Sequence, residues 1–264
     1  MTHTPDPFRK RRPRAPLGRY DAEGDPALEF PVPGKDVEFR FDAALAKRLL
    51  RREVNAKEAF TVKDAAGAFW RASVKELSET GGAAVAYERC KSPEPAIELT
   101  LACAVLARQR MIFVAQKATE LGVSRIVPLL TERSVLASGL EHEKAHAWPG
   151  QILRAAKQCR RSSLPELTPP MALDAFLACD LSKVELSLYL DNVEGQAAAF
   201  PSEPKRVLLL VGPEGGFSPV ERRRLAGRAQ PWLLGGRVLR AETAVLAGLT
   251  AVQLRWGDFR PGGS

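Results

Sequence analysis

The residues best suited to chemistry lie between Val207 and Gly248, on two glycine-led loops. The first is Gly212-Pro213-Glu214-Gly215-Gly216. The second runs Leu234-Gly235-Gly236-Arg237-Val238-Leu239-Arg240 and continues into Ala241-Glu242-Thr243-Ala244. Three glycines and a proline in five residues continue neither a strand nor a helix, so the first segment is a shaped loop. Without a Cβ, glycine lets backbone amides and carbonyls come close to a ligand, and two such loops can flank one cleft. Neither loop carries GxxxxGKS/T or GxGxxG, so no nucleotide fingerprint applies. By spacing alone the pair fits a ligand cleft and two structural turns equally well.

These loops need elements to hold them. Residues 207–211 are an uninterrupted apolar run of strand length, the pattern of a strand covered on both faces in an α/β sheet. After the first loop, Ser218 suits an N-cap, Pro219 the first helical position and Glu221 the third, which together form a capping box. Strand, loop and helix start are contiguous, and ligands in α/β sheets sit at the carboxyl ends of strands. Residues 232–234 read as a further short strand, and 241–254 as a helix.

Composition narrows the class. The chain of 264 residues is 45% apolar, enough for one large core or two ordinary ones. A net charge of +8 favours a polyanionic partner, although many soluble proteins are mildly basic. Cys90, Cys103, Cys159 and Cys179 form no CxxC pair, so free thiols in a reducing cytosol fit better than a metal or disulfide framework. His142 and His146 have helical spacing without an HExxH motif, and no metal site is expected. No apolar stretch is long enough to span a bilayer, and no apolar core follows the basic N-terminus as in a secretory signal.

Taken in order, residues 1–15 read as a basic flexible tail. Its Arg9, Arg11, Arg12 and Arg14 can neutralise phosphates, or serve only solubility. Residues 16–89 form a β-rich module with strands at 28–32, 37–41, 59–63, 68–77 and 83–87, and a short helix at 43–52. On that helix Lys47, Arg48 and Arg51 share a face that suits phosphates or plain solvent. Residues 90–96 are a linker, with Pro93 and Pro95. From residue 97 to 264 the texture is α/β. Strands are expected at 97–106, 125–130 and 186–190, with Pro128 marking an edge or strand end. Helices are expected at 111–121 and 149–161, and Arg154, Lys157, Gln158 and Arg161 share one face of the second.

The segments LLLVGPEGGFSPVE, LGGRVLRAETAVLAGL and Gln116-Lys117-Ala118-Thr119-Glu120-Leu121-Gly122-Val123 resemble, in order and spacing, motifs of the RsmE-like family. These are ribosomal-RNA uridine N3-methyltransferases of the SPOUT class. The resemblance covers about the last 160 residues well and the first ninety loosely. It implies a SPOUT-type trefoil-knot methyltransferase domain preceded by a small PUA-like β-barrel that binds RNA, and a cytoplasmic homodimer acting on 16S ribosomal RNA of the small subunit. S-adenosyl-L-methionine would sit on Leu190, Gly212–Gly216, Leu234, Gly235, Val238, Leu239, Arg240, Thr243 and Ala244. Arg240 and Glu242 would be catalytic, the arginine steadying charge on the uracil carbonyls and the glutamate taking the N3 proton, unless the two simply pair and brace the loop. Arg110, Lys117, Gln158 and Arg161 would meet RNA. Three departures stand out: residues 42–51 lack the family's histidine, Lys157 replaces an acidic residue, and Arg110 replaces a lysine. They leave room for another RNA or a ribose hydroxyl as target. A non-catalytic RNA-binding or ribosome-assembly protein is the remaining alternative.

Overall fold

The computed structural model describes residues 24–192, 200 and 203–260. The tail arginines Arg9, Arg11, Arg12 and Arg14 lie outside the described residues.

The first module is built on β1 (Glu38–Asp42), α1 (Ala43–Arg51), β2 (Ala59–Lys63), β3 (Phe69–Ser78) and β4 (Gly81–Cys90). The strands form an antiparallel sheet in the order β1-β4-β3-β2. Among the described residues this sheet is open; its first and last strands do not pair, so the expected barrel is not closed by them. Asp42 caps α1 by accepting from the Leu45 amide at 3.0 Å, and α1 buries Leu45, Ala46 and Leu49 among Phe39, Phe41, Phe60 and Val62. The strand expected at 28–32 is reduced to one bridge, Glu29 to Lys63. Pro31 and Pro33 have no N–H to give a ladder, and the segment is held instead by buried Leu28 and by Phe30 stacked 4.6 Å from Phe39.

The second unit comprises β5 (Glu98–Ala104), α2 (Arg108–Glu120), β6 (Arg125–Leu130), α3 (Trp148–Gln158), β7 (Glu166–Leu167), β8 (Met171–Ala172), α4 (Leu173–Leu177), β9 (Leu186–Leu190), β10 (Arg206–Val211), α5 (Pro219–Ala226), β11 (Gln230–Trp232) and α6 (Ala241–Trp256). Every pairing in its sheet is parallel, in the order β11-β9-β10-β5-β6-β7, with β8 also on β6. On β10, Val207, Leu209 and Val211 pack with α2, α3 and α6, while Leu208 and Leu210 pack with α4 and α5. Burial on both faces is why the run carries no polar alternation. Pro128 is not on an edge strand: β6 has β5 on one side, and Pro128 falls in the gap between β7 and β8 on the other. The strand expected at 232–234 lies two residues earlier. The histidine segment, read as a helix face, is turns and short 3-10 helix, with His142 and His146 exposed.

The capping box of α5 forms as the sequence predicts. The Glu221 amide donates to Ser218 Oγ at 3.2 Å, and the Ser218 amide to Glu221 Oε2 at 2.8 Å. The second oxygen of Glu221, a residue 3% exposed, accepts from the Glu132 amide at 2.9 Å. One buried carboxylate thus joins the end of the first glycine loop to the turn after β6.

At the joint between the two sheets, several side chains expected at RNA have protein partners. Helix α3 stops at Gln158 because Arg160 adopts φ 65°, and Arg161, 8% exposed, turns inward rather than continuing a polar face. It donates to the Thr119 and Val123 carbonyls at 3.2 and 2.8 Å and pairs with Glu94 at 2.9 Å. Glu94 also accepts from the Ser162 and Ser163 amides, both at 2.8 Å. Arg48 is likewise diverted: with Arg52 it pairs with Asp25, at 2.7 and 2.6 Å. Lys157 reaches across to Glu58 at 2.7 Å and to the Glu53 carbonyl. Desolvation works against the charged Glu58, but its bonds to Lys157 and Asn55 prevail and hold its carboxyl below the usual range.

Removing Arg161 strands a partly buried carboxylate and two carbonyls, so Arg161→Ala should cost about 3 kcal/mol in urea unfolding; an RNA-contact arginine would leave the midpoint unmoved. Glu221→Ala leaves two amides, those of Ser218 and Glu132, without their acceptor and should cost about 2–3 kcal/mol. A loss below about 0.5 kcal/mol, the size of an ordinary surface substitution, would contradict the anchoring role.

Candidate functional site

Parallel register places three strand ends side by side. Val211 of β10 is level with Leu190 of β9, and Leu190 with Trp232 of β11. From these ends depart Asp191 and Asn192, the loop Gly212–Gly216, and the segment 233–240 that leads into α6. Together they enclose a cavity of about 290 Å³. This is the carboxyl edge of a parallel sheet, the usual ligand position in α/β folds.

All five residues of the first loop line the cavity, as do Leu190, Leu234, Val238, Leu239 and Ala244. Gly235, Arg240 and Thr243 do not line it. Gly235 makes the turn, at φ 86°, while Arg240 is the N-cap residue of α6 and is exposed, as is Thr243. A Cβ on Gly212 would lie 3.2 Å from the Phe217 ring, and Gly216 has φ 67°, so both glycines serve the loop's own shape. Arg133 braces the loop by donating to the Gly215 carbonyl at 2.7 Å. Gly248 matters equally. A Cβ there would lie 2.9 Å from both Leu190 and Leu209, so its absence lets α6 settle on the strand ends.

Sequence reasoning missed Asp191, Asn192, Val211, Arg222, Trp232, Arg237 and Ala241, all of which line the cavity. Asp191, with its side chain 6% exposed, pairs with Arg222 at 2.7 Å. The two lie on different elements, and nothing in their spacing announces the pair. Val211 was legible as a strand end, whereas the sequence made Trp232 the start of a strand and not its end.

Glu242 and Arg240 do not brace each other. The partner of Glu242 is Arg110, whose Nε lies 3.8 Å from Glu242 Oε1 and whose Nη1 donates to Glu214. Glu242 Oε2 is buried and has no hydrogen-bond partner. Among the described residues Arg240 makes no ion pair. Arg110 sits in the first turn of α2, which starts at Arg108, and not in a loop before it. Of the other residues expected at RNA, Lys117 pairs with Glu120 at 2.8 Å along the same helix. Gln158 and Lys47 are exposed, Arg51 is half-buried, and Arg48 and Arg161 belong to the joint between modules. Cys103 lies under the site on β5, fully buried. Burial, with a lesser contribution from Glu214, pushes its thiol up to about 12, which excludes thiolate chemistry. Among the described residues no group of three His, Cys, Asp or Glu is placed to hold a metal, and no helix is long and apolar enough to cross a membrane.

Comparison with known proteins bears on this arrangement. Residues 92–253 match the model of the RNA methyltransferase domain. The chain is 30% identical over 176 residues to ribosomal RNA small subunit methyltransferase E of Buchnera aphidicola from Schizaphis graminum, covering 65% of this chain and 71% of that one. It resembles the solved ribosomal RNA small subunit methyltransferase E of Neisseria gonorrhoeae bound to S-adenosyl methionine, with a TM-score of 0.64, 26% identity, and 89% of this chain and 99% of that one covered. It also resembles a Legionella pneumophila protein solved with bound SAM, at TM-score 0.61 and 29% identity, covering 88% of this chain and 99% of that one. The parallel sheet, the loops at its carboxyl edge and these matches agree: the chain belongs to the RNA methyltransferase domain family that includes the ribosomal RNA small subunit methyltransferases E.

Proposed function

We propose that the protein transfers a methyl group from S-adenosylmethionine to N3 of a uridine in small-subunit ribosomal RNA. The observation that carries this reading is the cavity formed by two glycine loops at the ends of β9, β10 and β11, in a chain similar along most of its length to a relative solved with that cofactor. The site suits the molecule. Leu190, Val211, Leu239 and Ala244 offer apolar walls for an adenosine, the first loop offers backbone groups, and Asp191 and Glu214 offer carboxylates to a cationic ligand.

Bound there, the cofactor would supply a methyl group already activated by its sulfonium, with neutral sulfur as the leaving group. The protein's own work is positioning and proton transfer. Glu242 accepts the N3 proton through its carboxylate and passes it to water once product leaves. Arg240 stabilises the negative charge that spreads onto the uracil carbonyls. The target base leaves its stack to enter the cleft. The first module, read as PUA-like, tracks the RNA, with exposed Lys47 among its phosphate contacts and the net charge of +8 behind it. The trefoil knot, the homodimer and a cytoplasmic location belong to the same proposal.

Ala244→Trp fills the cavity from α6 and should weaken S-adenosylmethionine binding by calorimetry at least about tenfold, with the circular dichroism spectrum kept. Unchanged affinity would place the cofactor elsewhere. Glu242→Gln should lower single-turnover methylation by about 10²–10⁴-fold while leaving cofactor affinity intact. Nucleoside digestion of the RNA product should show 3-methyluridine; ribose methylation alone would sink the assignment to N3.

A further inference from the structure

The geometry points to Arg110 as a positioning residue for methyl transfer, one that holds the Glu242 carboxylate so that a single oxygen faces the substrate proton. This rests on the reading of Glu242 given above. Arg110 belongs to neither glycine loop. It projects from the first turn of α2 and takes two carboxylates from separate segments, Glu214 of the first loop and Glu242 in the first turn of α6. Among the described residues neither carboxylate has another ion-pair partner. Left without that cation, two like charges would push each other out of position.

The arrangement also explains an otherwise anomalous atom. Buried polar atoms are nearly always hydrogen-bonded, and each exception in a native structure needs a reason. Glu242 is 17% exposed; its Oε1 faces Arg110, and its buried Oε2 faces no protein donor. One oxygen is occupied and the other is reserved, which is the geometry a base needs before its substrate arrives. A guanidinium suits this task because its planar fork reaches two acceptors at fixed angles, whereas an ammonium is a single point charge. The same pairing argues against Arg110 as a phosphate contact, because an RNA phosphate would have to displace two carboxylates.

The test uses the full-length protein carrying Arg110→Gln or Arg110→Lys. In Arg110→Gln the single-turnover rate at saturating RNA should fall about tenfold to a hundredfold. The Kd for RNA by fluorescence anisotropy should stay within about twofold, since Arg110 is committed to two carboxylates and lies outside the cavity lining. The side-chain carboxyl carbon resonance of Glu242, followed by NMR in the protein alone, should move and broaden, because its one ion-pair partner among the described residues is gone. Arg110→Lys should bring that resonance back but restore only part of the rate. Arg110→Gln combined with Glu242→Gln should be no slower than Glu242→Gln alone. A rate unchanged at saturating RNA, with RNA affinity weakened tenfold and a shallower salt dependence, would make Arg110 a phosphate contact and overturn the proposal. An unchanged Glu242 carboxyl resonance would overturn it equally. That resonance needs neither RNA nor cofactor, so it stays readable if the wild type forms no 3-methyluridine, in which case the functional reading fails on its own.

Discussion

Burial of β10 on both faces is the constraint from which the site follows. A strand sandwiched between α2, α3 and α6 on one side and α4 and α5 on the other can shed its backbone only at its ends. Parallel pairing then aligns the ends of β9, β10 and β11, so three loops leave from one edge and can converge. Nothing in the loops themselves dictates that convergence. Their glycines permit it, and Gly248 completes it by letting α6 approach Leu190 and Leu209 closely.

The joint between modules solves a different problem. Arg52, Asp25, Arg161 and Glu94 are charged groups held where water is scarce, and such groups add little net stability when paired yet cost heavily when one partner is lost. They do impose geometry. Arg161 meets two carbonyls and Glu94 at once, and the guanidinium of Arg52 is anchored by Asp25 and the Ser162 carbonyl. Burial pulls the Arg52 pKa down, and the Asp25 carboxylate beside it opposes that pull. A joint of this kind fixes orientation more than it adds stability. An enzyme that must hold an RNA on one module and a reacting base in another has use for a fixed orientation.

What the sequence made legible was local. The apolar run of β10, the Ser218–Glu221 box and the first glycine loop are each decided within a few residues, and each forms as its pattern says. What it hid was tertiary. Arg161 had helical spacing with Gln158, but a left-handed turn at Arg160 sends it inward. Arg110 aligned with a lysine that a family reading gives to RNA, and its carboxylate partners lie more than a hundred residues away. Pro128 suggested an edge, and two short strands with a gap between them make it an interior residue instead. Lys157 in place of an acidic residue left room for another target; its contact with Glu58 makes it part of the joint. In each case the side chain's type was informative and its direction was not.

Charge in the cleft is sorted by partner rather than by amount. Arg222 is committed to Asp191, and Arg110 to Glu214 and Glu242, so the floor carries cations without a net field of one sign. Arg237 and Arg240 make no ion pair among the described residues, and both are exposed on the segment that closes the cavity. Arg237 lines the cavity, whereas Arg240 lies outside its lining. A cationic cofactor and a polyanionic substrate impose opposite electrostatic demands on one cavity. Asp191 and Glu214 in the lining, with exposed, unpaired guanidinium groups on the segment beside them, meet both, and they do so because the two loops and α2 arrive at the same sheet edge from different directions.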